Sequence, residues 1–195
     1  MPAIFSHAAV GAAVAKLLPG DKVESRRTAI ACALLAVVPD FDGLLFGRIP
    51  YGHLFGHRGI THSLLFAAMC GVITTWFFAR HGWVKRGAVW RYVSLFAAVT
   101  ASPGVLDAFT SGGLGVAFFA PFDSTRYFSP HRPIPVSPMP LRALFSARGA
   151  RVAIGELILL WTLAGSVWLW ESRRTAWRRA LAIILALIGL WAWHR

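Results

Sequence analysis

Charged residues are scarce in this sequence, and acidic residues are the scarcest of them. Only 14% of the 195 residues are charged and eight are acidic, whereas an ordinary soluble domain has about 25% charged residues. Apolar residues make up 56% of the chain, and the mean hydropathy is +0.58. This composition excludes an ordinary soluble domain and indicates a membrane protein of one domain, in which runs of about 20 apolar residues are the spanning units.

Cysteine is almost absent, and the signatures of several other protein classes are missing. Cys32 and Cys70 lie inside apolar runs, so they form neither a disulfide framework nor a metal-binding spacing. No Ser-His-Asp spacing or nucleophile elbow is visible. The net charge of +12 is not gathered into one motif, because the basic residues stand mostly at the ends of apolar runs, as they do in membrane proteins. Direct nucleic-acid binding is therefore not expected.

The apolar runs predict an all-α polytopic bundle of about five to six spans, in a single integral membrane domain over residues 1–195. The first run lacks the positive n-region of a signal peptide and is kept as mature structure. We expect it to begin at Pro2 or Ser6 and to end before Pro19 and Gly20. Further helices are expected at 28–46, 61–80, 89–106, 152–170 and 177–193.

A long segment after the third of these further runs has no spanning helix. Residues 107–151 are rich in proline, glycine and aromatic residues, which predicts an interfacial or re-entrant loop packed on the bundle. Most lysines and arginines lie in three links, and placing these links in the cytoplasm puts both termini outside. Six side chains then arrive together at the outer end of the bundle: His7, Asp40, Asp42, His57, His62 and Asp107.

These six side chains are of the types that bind metals. Imidazole and carboxylate together suit zinc, or manganese and magnesium where carboxylates predominate. In a catalytic site the cation acidifies a water. Asp42 is expected to act as a base or to orient a histidine. Each residue alone also has a structural interpretation: His7 as an interfacial polar group, for example, and Asp107 as a helix-end residue.

A second group of basic side chains is a candidate for binding an anionic substrate. Arg58, Arg126, His131 and Arg132 have the donors that match a phosphate or another anionic head group. For Arg126 and Arg132, positioning at the lipid surface is an equal alternative. Thr61 and Ser63 are expected to cap the helix that follows them.

Several motifs in this chain resemble one known family. They are SHAAVGAA at 6–13, PDFD at 39–42, GHRGITHS at 56–63 and the long loop DAFTSGGLGVAFFAPFDSTRYFSPHRPIPVSP at 107–138. Together they resemble the YdjM-like family of bacterial inner-membrane proteins, which is described as LexA-binding or as membrane-bound metal-dependent hydrolases. The resemblance covers about residues 1–140, and the two C-terminal helices in 141–195 match it only as generic hydrophobic helices.

The resemblance implies a multi-pass inner-membrane protein with a divalent metal ion (Zn, Mn or Mg) and hydrolase activity. It assigns the metal ligands to His7, Asp40, His57, His62 and Asp107, with Asp42 and Arg58 in the same motifs as catalytic candidates. LexA binding is implied by the family description alone.

One position departs from the family pattern. Pro103 stands where the family usually has a histidine four residues before the aspartate, so that ligand is missing here. His131 or His53 would have to replace it, or the site works with one ligand fewer, or metal binding or activity is lost.

Two functions follow. The first is a metal-dependent hydrolase acting on a lipid-linked or phosphate-containing substrate, with Arg126, His131 and Arg132 binding it. The second is a non-catalytic membrane scaffold or regulatory protein with a degenerate site, which Pro103 favours. Transport or channel activity is not favoured, since acids are expected to be missing from mid-span positions.

Overall fold

The fold is a helical bundle, as the sequence predicts. The structure is a computed structural model and describes residues 4–16, 22–136, 146–171 and 176–193. The helices within these ranges are α1 (Ile4–Ala15), α2 (Lys22–Leu35), α3 (Leu64–Arg80), α4 (Val89–Ala108), α5 (Ala147–Glu156), α6 (Thr162–Glu171) and α7 (Ala176–Trp193). The described residues contain isolated β-bridges but no named strand.

Helices that follow one another through short links pack together as hairpins. In this way α1 packs on α2, α3 on α4 and α6 on α7, while a π-helical turn over Leu157–Trp161 joins α5 to α6. Helix α1 also contacts α4 and α6, so it lies between the N-terminal and C-terminal parts of the bundle. The first helix therefore links the motif-bearing region to the C-terminal hairpin.

The outward surface of the bundle is apolar, as expected for a protein in lipid. Three stretches are long and apolar enough to cross a membrane, Ser25–Leu45, Arg86–Ala108 and Gly149–Leu169, and α1 and α3 are shorter apolar helices. Large hydrophobic side chains such as Leu34 and Trp90 are 63% and 79% exposed on it. This surface suits hydrocarbon rather than water, and it confirms the membrane bundle while leaving the span count at an approximate five to six.

The expected helix over 28–46 is in fact two segments. Helix α2 ends at Leu35, and a 3₁₀ segment, Val38–Leu45, follows it. Pro39 stands in the first turn of this segment, and proline disfavours α conformation in the residue before it. Asp40 and Asp42 are both buried in this segment while Phe41 between them is 56% exposed, so the tighter turn directs both carboxylates inward.

Pro103 does not end α4, which continues to Ala108. A proline inside a helix lacks the N–H that would bond the carbonyl four residues earlier, which here belongs to Val99. The hydroxyl of Ser102 donates to the Val99 carbonyl at 2.8 Å instead. The helix that carries Asp107 therefore retains a donor for this carbonyl at the proline.

The long loop is irregular and packed on the bundle, as predicted, over its described part. The N–H of Leu64, at the start of α3, donates to the Phe118 carbonyl at 2.9 Å. The N–H of Ala117 donates to the Arg58 carbonyl at 3.1 Å. Ser63 caps α3 by accepting from the Phe66 N–H, as expected. The loop thus holds the segment that precedes α3.

Some predicted features lie outside the described residues. These are the start of the first helix at Pro2 and its end at Pro19 and Gly20.

We predict that Gly71→Val destabilises the bundle where α3 crosses α4. A Cβ at this position would lie 2.7 Å from the Val93 carbonyl oxygen and 2.9 Å from the Ala97 Cβ. Overpacking of this kind costs about 1–3 kcal/mol. Thermal unfolding of the detergent-solubilised protein measures the loss. The control is Ala68→Val, at an exposed position on the same helix, which should unfold like the wild type; equal unfolding of the two variants would contradict the prediction.

Candidate metal centre

Three buried side chains from different segments meet at one end of the bundle. Asp40 comes from the 3₁₀ segment after α2, His62 from the 3₁₀ turn Ile60–His62 before α3, and Asp107 from the last turn of α4. The Nε2 atom of His62 lies 3.4 Å from Asp40 Oδ1 and 3.6 Å from Asp107 Oδ2. One ligand atom from each residue lies within 4.8 Å of those of the other two. We call these three residues the Asp-His-Asp cluster.

His7 adds a fourth side chain to this cluster from α1. Its Nε2 atom lies 3.6 Å from Asp40 Oδ2, on the carboxylate oxygen that does not face His62. The side chain is completely buried. His7 therefore approaches the cluster through Asp40.

The donor set fits a small divalent cation. A tetrahedral ion with metal–ligand bonds of about 2.1 Å has ligand atoms about 3.4 Å apart, close to the separations around His62. Both oxygens of Asp40, both ring nitrogens of His7 and Nε2 of His62 are buried without a hydrogen-bond partner among the described residues. Buried polar atoms in proteins are normally satisfied, so atoms of these types left together suit a cation.

The charges around the cluster also favour a divalent cation. Asp40, Asp42 and Asp107 contribute three carboxylates, and Arg58 contributes one guanidinium next to Asp107. With neutral histidines, two negative charges remain in a buried environment, which is costly without a counter-charge. A divalent cation would balance them.

Asp42 collects donors from the GHRGITHS segment. It accepts hydrogen bonds from the Arg58 N–H at 3.0 Å and from the Thr61 hydroxyl at 2.6 Å. The Nδ1 atoms of His57 and His62 lie 2.6 and 3.2 Å from its oxygens. A carboxylate on Nδ1 fixes the tautomer and leaves Nε2 of His62 to face the cluster, as in carboxylate–histidine–metal sites.

The same carboxylates favour a positive charge on His62 itself. Burial alone would lower the pKa of His62, but the nearby carboxylates of Asp40, Asp42 and Asp107 outweigh burial and raise the pKa to about 9. Without a cation, a proton on His62 offsets one of the two negative charges, and a cation bound at Nε2 would replace that proton.

His57, which the resemblance assigned as a ligand, lies beside the cluster rather than in it. Its ring Nδ1 faces Asp42, and the ring packs edge-on against Tyr51 and His62, with centroids 5.4 and 5.7 Å away. His57 thus touches the cluster through its ring contact with His62 and through Asp42, and its direct contact with a metal stays a prediction.

Arg58 is fully buried and its guanidinium is engaged by the protein. Nε lies 2.8 Å from Asp107 Oδ2, and Nη2 donates to Asp107 Oδ1 at 3.0 Å, a bidentate pair. Nη1 donates to the Gly112 carbonyl at 2.9 Å, and Nη2 also reaches the Thr110 hydroxyl. The adjoining Gly113 has φ +96°, and a Cβ there would lie 2.7 Å from Arg58 Nη1. Arg58 thus fixes Asp107.

The three predicted substrate-binding residues lie in different environments. Arg126 donates to backbone carbonyls of the loop before α3, including Tyr51 at 3.0 Å and His57 at 3.1 Å. His131 is exposed, with Nε2 2.6 Å from the Trp193 carbonyl. Arg132 is exposed and stacks over the Phe128 ring. Arg126 therefore holds the loop, whereas His131 and Arg132 lie at the surface.

Neither candidate replacement for the missing family histidine reaches the cluster. His53 is exposed and accepts from the Phe55 N–H, and His131 contacts Trp193. Pro103 itself is buried one helical turn before Asp107. In this structure the cluster contains His7 and the Asp-His-Asp residues alone among the described histidines and carboxylates.

Sequence reasoning missed a buried acid in the C-terminal helices. Glu156 ends α5 inside the apolar stretch Gly149–Leu169 and accepts a hydrogen bond from the Ser6 hydroxyl at 2.5 Å. Trp161 Nε1 donates to the same hydroxyl at 3.1 Å. The expectation that mid-span acids are absent was therefore wrong. A lone glutamate in an apolar run was the available signal, and the π-helical turn that follows it is of a kind often found at functional sites.

Comparisons with known proteins agree with this architecture. The family model described as "YdjM inner membrane protein" matches residues 1–195. The chain belongs to this family, a class of bacterial inner-membrane proteins.

Among curated proteins, the chain is similar to the inner membrane protein YbcI of Escherichia coli (strain K12). The two are 35% identical over 178 residues, which cover 89% of this chain and all of the relative. No solved structure matches the chain. The inner-membrane location predicted from the sequence is thereby confirmed.

We predict that Arg126→Ala loosens the loop that carries His57 and Arg58, while Arg132→Ala has little effect. Hydrogen bonds to a charged group are worth about 1.5–3 kcal/mol, so the first variant should lose about 2 kcal/mol of unfolding free energy. An exposed substitution should stay within about 0.5 kcal/mol. Denaturation of both variants in detergent measures the difference in unfolding free energy. Equal losses in the two variants would contradict the role of Arg126 in holding this loop.

Proposed function

We propose that this protein is a membrane-bound metal-dependent hydrolase. The observation that carries the proposal is the buried cluster of Asp40, His62 and Asp107, whose ligand atoms lie together while polar atoms of Asp40 and His62 lack hydrogen-bond partners among the described residues. Four segments meet there, counting His7 on α1. When bound, a divalent cation such as Zn, Mn or Mg supplies hydrolytic chemistry by acidifying water and polarising an oxygen of the substrate.

The residues around the cluster take distinct roles in this proposal. Asp40, His62 and Asp107 would hold the cation, with His7 as a fourth ligand. Asp42 would orient His62 rather than act as a base, because four donor groups already surround its two oxygens. Arg58 would hold Asp107 in place, so we assign it a positioning role and not contact with the substrate.

The substrate is proposed to be lipid-linked or to contain phosphate. The cluster lies at the end of a membrane bundle, where a lipid head group is within reach. Arg132 and His131 are the exposed basic side chains of the loop that could meet an anion, whereas Arg126 is engaged with carbonyls of the protein.

A specific observation favours a second candidate, a non-catalytic membrane scaffold or regulatory protein. Asp107 is already paired with Arg58 through two contacts, and Pro103 replaces a family histidine. In that case the polar cluster serves as an internal ion-pair network. LexA binding, implied by the family description, stays a prediction for either function.

Metal content separates the two proposals. We expect the purified wild-type protein to hold about one divalent ion per chain by elemental analysis, and His62→Ala to lose it. Asp42→Asn should retain the fold but bind the metal about 10–100-fold more weakly, since partners of metal ligands have effects of this size. The control is His81→Ala, an exposed histidine at the other end of α3. Wild-type protein without metal, in a fully folded state, would favour the scaffold.

Activity is tested on the metal-loaded protein. Phospholipid and isoprenyl-phosphate substrates are incubated with it in detergent with manganese or zinc, and product release is followed. Turnover that disappears in Asp40→Asn and persists in His81→Ala is expected. Complete metal occupancy with no turnover of either substrate would remove the hydrolase assignment for these substrates.

A further inference from the structure

An apolar cavity lies between α1 and the C-terminal helices, and neither the fold nor the proposed metal site explains it. Its volume is about 360 Å³, within the range of small-molecule sites. Its walls are the side chains of Val10, Ala13, Val14, Leu106, Leu160, Leu163, Ala164, Val167, Leu190 and Trp193. None of these residues is charged.

The cavity begins next to the metal-site residues. Val10 is one turn along α1 from His7, and Leu106 directly precedes Asp107 on α4. From there it extends along the continuous helical stretch formed by α5, the π-helical turn and α6, which we call the C-terminal rod. The wall residues on this rod run from Leu160 to Val167, a distance of about 10 Å at the helical rise. The cluster residues themselves are buried and do not line the cavity, while Leu190 of α7, on its wall, is 51% exposed. The cavity therefore lies beside the polar cluster and reaches the apolar outer surface of the bundle.

The size and lining of the cavity decide what can fill it. Water is disfavoured, because a cavity lined by apolar atoms offers it no partners. A single hydrocarbon chain is thin enough, matches the lining and is supplied by the surrounding bilayer.

We propose that this cavity is a groove for one hydrocarbon chain of a lipid whose polar end lies at the end of the cavity nearest the cluster of His7, Asp40, His62 and Asp107. The proposal rests on the proposed function for the role of the head group, and it names the substrate class as a single-chain or splayed lipid entering sideways from the membrane. The groove then positions the head group by holding its tail.

A photo-crosslinking experiment tests the groove without requiring turnover. The probe is a single-chain lysophosphatidic acid with a diazirine in its tail, added to the full-length protein in detergent and mapped by peptide mass spectrometry. We expect labelling to concentrate on residues 10–14, 160–167 and 190–193, and to fall when unlabelled lysophosphatidic acid competes.

Filling the groove provides the discriminating variant. Ala164→Trp should reduce the labelling of these segments at least fivefold, whereas Ala153→Trp, at an exposed position on the same rod, should leave it unchanged. Labelling spread evenly over the lipid-facing helices and unaffected by Ala164→Trp would overturn the groove. If Ala164→Trp fails to fold, the smaller Ala164→Leu replaces it, with the same comparison against Ala153→Leu.

The outcome is separable from that of the hydrolase proposal. Competed labelling of the groove in a protein without hydrolytic activity would keep the lipid site and remove the reaction. Turnover of phosphate substrates that does not depend on tail length, together with labelling that is not concentrated in the groove, would keep the reaction and remove the lipid site.

Discussion

The cost of burying carboxylates inside an apolar bundle is the constraint on which the rest of this structure depends. Asp40, Asp42 and Asp107 are all buried, and an isolated buried carboxylate costs far more than a folded protein has to spare. Each is therefore compensated in a different way. Asp107 has the guanidinium of Arg58, Asp42 has donors from the chain before α3, and Asp40 faces two histidines whose facing nitrogens have no hydrogen-bond partner among the described residues. The arrangement at Asp40 is the one that a cation, or a proton on His62, would complete, and it is there that the candidate metal site lies.

The irregular loops follow from the same constraint. The backbone of Arg58, whose side chain pairs with Asp107, adopts φ 61°, a conformation uncommon and costly for a residue with a side chain. That backbone is held on both sides, by the Ala117 N–H on its carbonyl and by Arg126 on the neighbouring carbonyls. The long proline-rich loop therefore supports the backbone of the residue that forms this charge pair.

Much of the fold was predictable from the sequence, because hydrophobic runs and their basic ends reflect the membrane directly. The meeting of His7, Asp40, His62 and Asp107 at one end was predictable too, since helix lengths and alternating direction determine it. What each group touches was not. His57 and His62 are equivalent by type and motif, and both place Nδ1 near Asp42, yet only His62 also places Nε2 near Asp40 and Asp107. Arg126 and Arg132 are both cations of the long loop by sequence. Only the path of the backbone brings Arg126 to the carbonyls of the segment before α3. Such differences depend on side-chain positions that differ by a few ångströms, and the periodicity of the sequence does not encode them.

The C-terminal helices illustrate how far a local sequence resemblance can mislead about which parts form a site. The motif resemblance reaches only residues 1–140, whereas the family model matches residues 1–195, so the C-terminal helices belong to the family pattern as well. Within these helices Glu156 is buried among apolar residues. In three dimensions Glu156 binds Ser6, which adjoins His7 on α1, and Trp161 shares the same hydroxyl. Ser6 and His7 are consecutive on α1, so the Ser6–Glu156 hydrogen bond joins the C-terminal helices to the helix that carries the imidazole facing Asp40. The C-terminal rod forms a wall of the apolar cavity. Helix α1 therefore contacts both the polar cluster, through His7, and the C-terminal helices, through Ser6 and its packing on α6.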